Sequence, residues 1–265
     1  MAEVPARGLV YGYAVPRERE LVRLTLEYDG SEFAGWARQP GRRTVQEELE
    51  RALCTLLRRD RCPVTVAGRT DSGVHALAQV ASYEGQVAPL RGINALLPED
   101  VAVLECVRAP EGFDARRDAT SRAYCYRLLA RPARSALQRG RIVWWPQRLD
   151  IDALHGCAAA LVGRHEFTAF TPTETKHVRF ARDVFTARWG RWEDDVVAFE
   201  IEADTFMRHM VRILVGTMLE VSSGSLSVDE FVALLDGAPR SAAGRTAPAR
   251  GLYLVGVGYG GERVL

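Results

Sequence analysis

No apolar run in this chain approaches the roughly 20 residues that a membrane-spanning helix needs, so no such helix is expected. Residues 1–19 are broken by Pro5, Gly8, Gly12 and Pro16 and by several charges, which excludes a signal-peptide pattern and leaves the expectation of a flexible tail. Cysteine is sparse: Cys54, Cys62, Cys106, Cys125 and Cys157 are an odd number without C-x-x-C spacing. That argues against a disulfide framework and a thiolate metal site, and fits a reducing cytoplasm. A P-loop and a His-rich metal pattern are both missing, so neither a cofactor nor a metal is expected. Charge of one sign is missing too. With 35 basic against 34 acidic residues the net charge is +1, and any nucleic-acid site must gather its cations locally. Lys176 is the only lysine. Arginine suits phosphate forks and base stacking better than lysine does, although so complete a bias equally reflects nucleotide composition.

What is present is a 265-residue chain, 47% hydrophobic, long enough for two modest α/β units. Strand-like and helix-like segments alternate twice. Leu21 to Asp29 reads as a strand, and Thr44-Val45-Gln46-Glu47 as a capping box opening a helix to about Arg58. Strands around Val64 and Val80, a short helix from Leu90 to Leu97 and a strand from Val101 to Val107 follow. Beyond a Gly/Pro-dense junction at Arg108 to Phe113, strands are expected at Tyr124 to Ala130, Val178 to Trp189, Val196 to Ala203 and Leu252 to Tyr259. Helices are expected at Ile151 to Val162, Phe206 to Val221 and Val228 to Leu235. The divisions are therefore a tail at 1–19, an N-terminal α/β unit at 20–113 and a C-terminal α/β unit at 114–265.

Ala67-Gly68-Arg69-Thr70-Asp71-Ser72-Gly73-Val74-His75-Ala76 stands out, because it sets one carboxylate between glycines on a connection between two strands. Loops held by a rigid sheet are where catalytic groups sit. Taken by itself, such an aspartate is more often a turn former. Arginines cluster at Arg38, Arg42 and Arg43, at Arg116, Arg117 and Arg122, and at Arg208 and Arg212, the last two expected on one helix face. His75 and His209 have no partners at metal-ligand spacing.

Around the Asp71 segment lie further motifs in a fixed order: Leu26-Glu27-Tyr28-Asp29-Gly30-Ser31-Glu32-Phe33-Ala34-Gly35-Trp36, Asn94-Ala95-Leu96-Leu97-Pro98, Phe113-Asp114-Ala115-Arg116, Ala119 to Tyr126, His165 to Phe170, Phe206 to Gly216, and Ala247 to Leu252. From about Leu21 to Tyr259 the chain resembles the tRNA pseudouridine synthase A family. It departs from that pattern at Ala37, Ser72, Ile213 and Arg117-Asp118. The resemblance implies a pseudouridine synthase fold, α/β (α+β), with two similar domains, a mixed, mainly antiparallel sheet and a cleft between them. It also implies a homodimer that acts on tRNA, isomerising uridine to pseudouridine at positions 38–40 of the anticodon stem-loop, without cofactor.

That reaction breaks the bond from ribose C1′ to uracil N1 and joins C1′ to C5, with no redox change, and a carboxylate can attack covalently or move protons. By resemblance Asp71 is the catalytic group, Arg69 and Arg212 support it, Tyr124 stacks on the flipped base and Leu252 lines the uracil pocket. From the residues alone, Tyr124 and Leu252 also read as strand core, Arg69 as a surface ion pair and Arg212 as a solvent-facing helix residue. An arginine buried in the apolar run Met210 to Leu214 would need a partner, and Asp71 would supply one.

Overall fold

The computed structural model describes residues 20–175, 178–192 and 195–265, so the expected tail at 1–19 and Lys176 lie outside the described residues. Ten strands make one mixed sheet. β1 (Leu21–Tyr28) shows why: Val22, Leu24, Leu26 and Tyr28 are buried while the residues between them are more exposed, the period-two pattern of a strand with one packed face. β2 (Thr65–Val66), β3 (His75–Glu84) and β4 (Val101–Arg108) join it. β5 (Ala119–Leu129), β6 (Val143–Trp144), β7 (Gly163–Glu166), β8 (Ala181–Arg191), β9 (Val196–Ala203) and β10 (Leu252–Tyr259) complete the sheet. The main path runs β4-β1-β3-β10-β5-β9-β8-β7, with β2 on β3 and β6 on β5.

The last strand of the chain thus lies in the middle of the sheet. β10 pairs antiparallel along β5, but meets β3 in parallel at only two positions, Tyr253 with His75 and Leu254 with Ala76. Beyond those two pairs the strands part. Residues 66–74 on one side and 205–211 on the other line a cavity beside this junction.

The helices are α1 (Val45–Leu57), α2 (Leu90–Leu96), α3 (Ile151–Ala160), α4 (Met210–Ser222) and α5 (Val228–Ala233). Val45, Leu49 and Leu53 of α1 join the same buried cluster as β1 and α4. Two expectations are corrected. Thr44 does precede α1, but its side chain makes no capping bond and Glu47 turns instead to Arg38 at 3.3 Å. The reciprocal capping box belongs to Ser227 and Glu230 at the start of α5. The helix expected from Phe206 begins only at Met210, because His209 adopts a left-handed conformation, φ 60°, that no α-helix continues through. Arg208 and Arg212 therefore do not share a helix face.

Candidate active site

The Asp71 loop is held by the segment that carries the first motif. Tyr28, at the end of β1, shares a 2.7 Å hydrogen bond with Thr70 Oγ1, and Gln79 Nε2 donates to Gly68 O at 2.8 Å and to Tyr28 Oη at 3.3 Å. Burial pushes the Tyr28 phenol up to about 12, so it stays a neutral hydrogen-bonding group. Trp36 N–H donates to Thr70 O at 3.0 Å, and Ser72 Oγ donates to Phe33 O at 3.1 Å. Ser72 is thus an added tie where an alanine could make none. Gly35 has φ +98°, and a Cβ there would lie 2.8 Å from Thr70 O, so only glycine lets the two segments touch. Two sequence motifs far apart in the chain are one structural unit, and what that unit fixes is the backbone carrying Asp71.

Above the loop stands the start of α4. Arg212 Nη1 is 3.8 Å and His209 Nε2 is 3.5 Å from Asp71 Oδ2. Among the described residues, no protein group donates a hydrogen bond to the Asp71 carboxylate, whose side chain is 31% exposed. Its oxygens are open on the cavity side. Arg212 is only 16% exposed, and its Nε donates to Ala247 O at 2.7 Å while Ala247 N–H returns a bond to Arg212 O at 3.0 Å. Burial lowers its pKa and the Asp71 charge opposes that, yet a guanidinium stays protonated at neutral pH. His209 is held neutral near pH 7: burial lowers its pKa most, Asp71 raises it, and Arg212, Arg208 and Arg240 lower it further.

The cavity is about 380 Å³, at the small end of ligand sites, which span about 300–1,000 Å³. Arg69, Asp71, Tyr124 and Leu252 line it, together with Phe206 and Met207. Tyr124 packs edge-on against Phe206, ring centroids 5.1 Å apart, and its hydroxyl makes no hydrogen bond among the described residues. Leu252, the first residue of β10, is 5% exposed, so it is both strand core and cavity wall. Arg69 is exposed at the cavity rim and forms no ion pair among the described residues. Four of the five expected residues thus line one cavity and the fifth, Arg212, reaches it through Asp71.

Sequence reasoning passed over Phe206, which supports the Tyr124 ring, and the approach of His209 to Asp71. It also misread several arginines. Arg43 forks onto Asp100 at 2.7 and 2.8 Å, contacts Glu48 at 3.1 Å and lies over the Phe33 ring, while Arg38 pairs with Glu47 and Glu50. Arg42 alone of that loop makes no ion pair among the described residues. Arg122 is buried, with Nε and both terminal nitrogens donating to the carbonyls of Ala67, Ala119, Asp204 and Arg116. It ties the start of the Asp71 loop to β5. The remaining cations at the cavity are Arg69, Arg116 and Arg208.

His75 serves the junction between β3 and β10. Its ring stacks on Tyr253 at 4.6 Å, Nδ1 accepts the Gly30 N–H at 3.0 Å, and Nε2 faces Arg250 O at 3.2 Å. Burial holds its pKa below the ordinary 6.5, with Asp29 opposing. Its protonation therefore favours the unfolded chain, and the stability it contributes is full above the ordinary value and lost as pH falls below it. His209 shifts in the same direction. We expect a lower Tm at about pH 5.5 than at about pH 7.5, and a smaller difference in His75→Gln. An identical pH response in that variant assigns the effect to other groups.

A family model described as tRNA pseudouridine synthase matches residues 25–103 and 157–260. A protein named tRNA pseudouridine synthase A from Chromobacterium violaceum is 42% identical over 247 residues, covering 91% of this chain and 94% of its own. Namesakes from Bacillus pumilus, 38% identical over 90% of this chain and 98% of theirs, and from Maricaulis maris, 42% identical over 90% and 98%, agree. With Asp71, Arg212 and Tyr124 gathered at one cavity and these likenesses running along nearly the whole fold, the chain belongs to the tRNA pseudouridine synthase family.

Proposed function

We propose that this chain isomerises uridine to pseudouridine at positions 38–40 of the tRNA anticodon stem-loop, in the cytoplasm and as a homodimer, with Asp71 as the catalytic group. The observation that carries the reading is an aspartate whose oxygens accept no protein hydrogen bond, at a cavity of nucleobase scale, beside a buried arginine. In this reading the units 20–113 and 114–265 meet at the cavity, the first supplying Asp71 and Arg69, the second Tyr124, Arg212 and Leu252. Arg212 keeps the carboxylate anionic and oriented as it attacks. A guanidinium at the rim, Arg69, takes RNA phosphate or the space left by the departing base.

A stem uridine must leave its stack to reach Asp71, at a cost of a few kcal/mol. Stacking on an aromatic ring returns about 1–3 kcal/mol per base. Tyr124, braced by Phe206, is placed to provide it. Tyr124→Phe keeps the ring and is expected to work near the wild-type rate, whereas Tyr124→Leu keeps the apolar volume but is expected to lose about 5- to 150-fold in kcat/KM. Equal rates in the two variants remove the stacking role.

The direct test is incubation with an unmodified tRNA transcript and mapping of pseudouridine by position, with tRNA binding measured at the same salt and mass by sedimentation equilibrium. Pseudouridine at the anticodon-arm uridines and a two-chain mass are expected. Binding without any pseudouridine would make this an RNA-binding protein that has lost turnover.

A further inference from the structure

Resting on the synthase reading above, we propose that His209 is the general base that finishes the isomerisation, taking the proton from C5 of the uracil once C5 has bonded to C1′. When the C1′–N1 bond breaks, N1 keeps the electron pair. C5 then bonds to C1′ with the C5–C6 π pair, and C5 is left tetrahedral, carrying its hydrogen. A base must take that proton, so that the C–H pair restores the C5–C6 double bond, and N1 must gain one. His209 accepts the first and, as imidazolium, returns it to N1, leaving the enzyme unchanged.

Position comes first. His209 Nε2 lies 3.5 Å from the Asp71 oxygen, and both residues line the cavity. Asp71 engages either C1′ or C6, and C5 is one bond from each in the intermediate, so a base beside Asp71 is a base beside C5. The second observation is backbone strain. His209 is one of two non-glycine residues with positive φ among the described residues, and it holds that conformation at the N-cap of α4 without making a capping bond. Glycine or asparagine adopts φ 60° more cheaply. Strain kept where it aids neither cap nor helix marks a side chain needed at that point.

The alternatives at the cavity are poor bases. Arg69, Arg116, Arg122 and Arg208 are cations, and the Tyr124 phenol is pushed well above its ordinary value by burial, with Tyr28 and Asp71 adding to the shift. It cannot take a proton near neutral pH. Every charged group facing the His209 ring acts in the required sense. Arg212 and Arg208 from its own segment and Arg240 from the turn at 240–242 keep the resting ring neutral and ready to accept. Asp71, from the loop before β3, stabilises the imidazolium once formed. The phenol of Tyr124 has no such countercharge to form against.

The test is single-turnover pseudouridine formation on tRNA carrying hydrogen or deuterium at uridine C5, with wild type, His209→Gly and His209→Asn. Both substitutions fit φ 60°, and Tm is expected to hold or rise. Loss of a general base is expected to slow both variants by about 10²–10⁴-fold while tRNA affinity changes little. The deuterium effect grows, because C5–H removal has become limiting, and added imidazole restores part of the His209→Gly rate. Active wild type with unimpaired variants overturns the role, and so do slow variants that show neither isotope effect nor imidazole rescue, since His209 would then only position Asp71. A wild type that makes no pseudouridine overturns the synthase reading and this role together.

Discussion

Asp71→Asn is expected to lower pseudouridine formation by about 10⁴-fold or more, the scale of losing a covalent or proton-transferring group. Folding should survive, because the ties that set the loop use backbone atoms and neighbours: Thr70 O, Gly68 O, Thr70 Oγ1 and Ser72 Oγ. Unfolding free energy is expected to stay within about 0.5 kcal/mol of wild type. Binding of tRNA should change by less than about tenfold, or 1.4 kcal/mol, and towards tighter binding, since a negative charge leaves a cavity lined by four arginines. Asp71→Glu keeps the charge but moves the oxygens about 1 Å, a misplacement worth about 10²-fold. Retention of even a hundredth of the wild-type rate in Asp71→Asn would move the chemistry to another group.

The sheet was legible where the chain alternates for seven or more residues. Leu21–Tyr28 and Leu252–Tyr259 match their periodic pattern because one face of each packs against the core. Val143–Trp144 and Gly163–Glu166 were not expected as strands, since two to four residues contain no measurable period. Nor could periodicity reveal that the last strand inserts between β3 and β5, a fact of long-range pairing. In α4 the apolar spacing runs on through Phe206 and Met207, but those residues pack in the cavity wall instead, and the turn at Met207 to Met210 closes with a Met210 N–H to Met207 O bond.

The site was legible residue by residue and illegible in its connections. Asp71, Arg69, Arg212, Tyr124 and Leu252 each sit in a recognisable motif, and the fold brings them to one place. Which arginines are free was hidden, because the carboxylates that occupy them come from elsewhere. Asp100 is 57 positions from the Arg43 it holds. Arg122 uses five backbone contacts that no pattern of side chains encodes. Composition gave a nearly neutral chain, and the structure resolves the paradox of an RNA enzyme with net charge +1: much of its arginine is tied internally, and the few cations left over lie at the cavity.

The second large effect is expected far from any substrate. Gly216, in the middle of α4, faces the segment 244–247 so closely that a Cβ would fall 1.7 Å from Arg245 O. Four bonds zip that segment to the helix: Gly244 N–H to Thr217 Oγ1 at 3.0 Å, Arg245 N–H to Glu220 Oε1 at 2.9 Å, and the reciprocal pair between Arg212 and Ala247. In Gly216→Ala the obstruction is backbone, so no side chain can rotate out of the way, and the segment must move off. Helix propensity returns about 1 kcal/mol, while overpacking costs about 1–3 kcal/mol and more where the backbone itself must shift. We expect a net loss of about 2 kcal/mol, read as a Tm lower by about 4–8 °C. Arg212 would lose the carbonyl that fixes its guanidinium beside Asp71, and kcat should fall by about 10²-fold with tRNA binding little changed. Gly190→Ala, where nothing lies within 4 Å of the new methyl group, is the control and should stay within about 0.5 kcal/mol. A Gly216→Ala protein that melts early yet turns over at the wild-type rate when folded would show that Arg212 is held by Asp71 alone. One that also loses kcat would show that the far side of α4 sets the geometry of the carboxylate's partner.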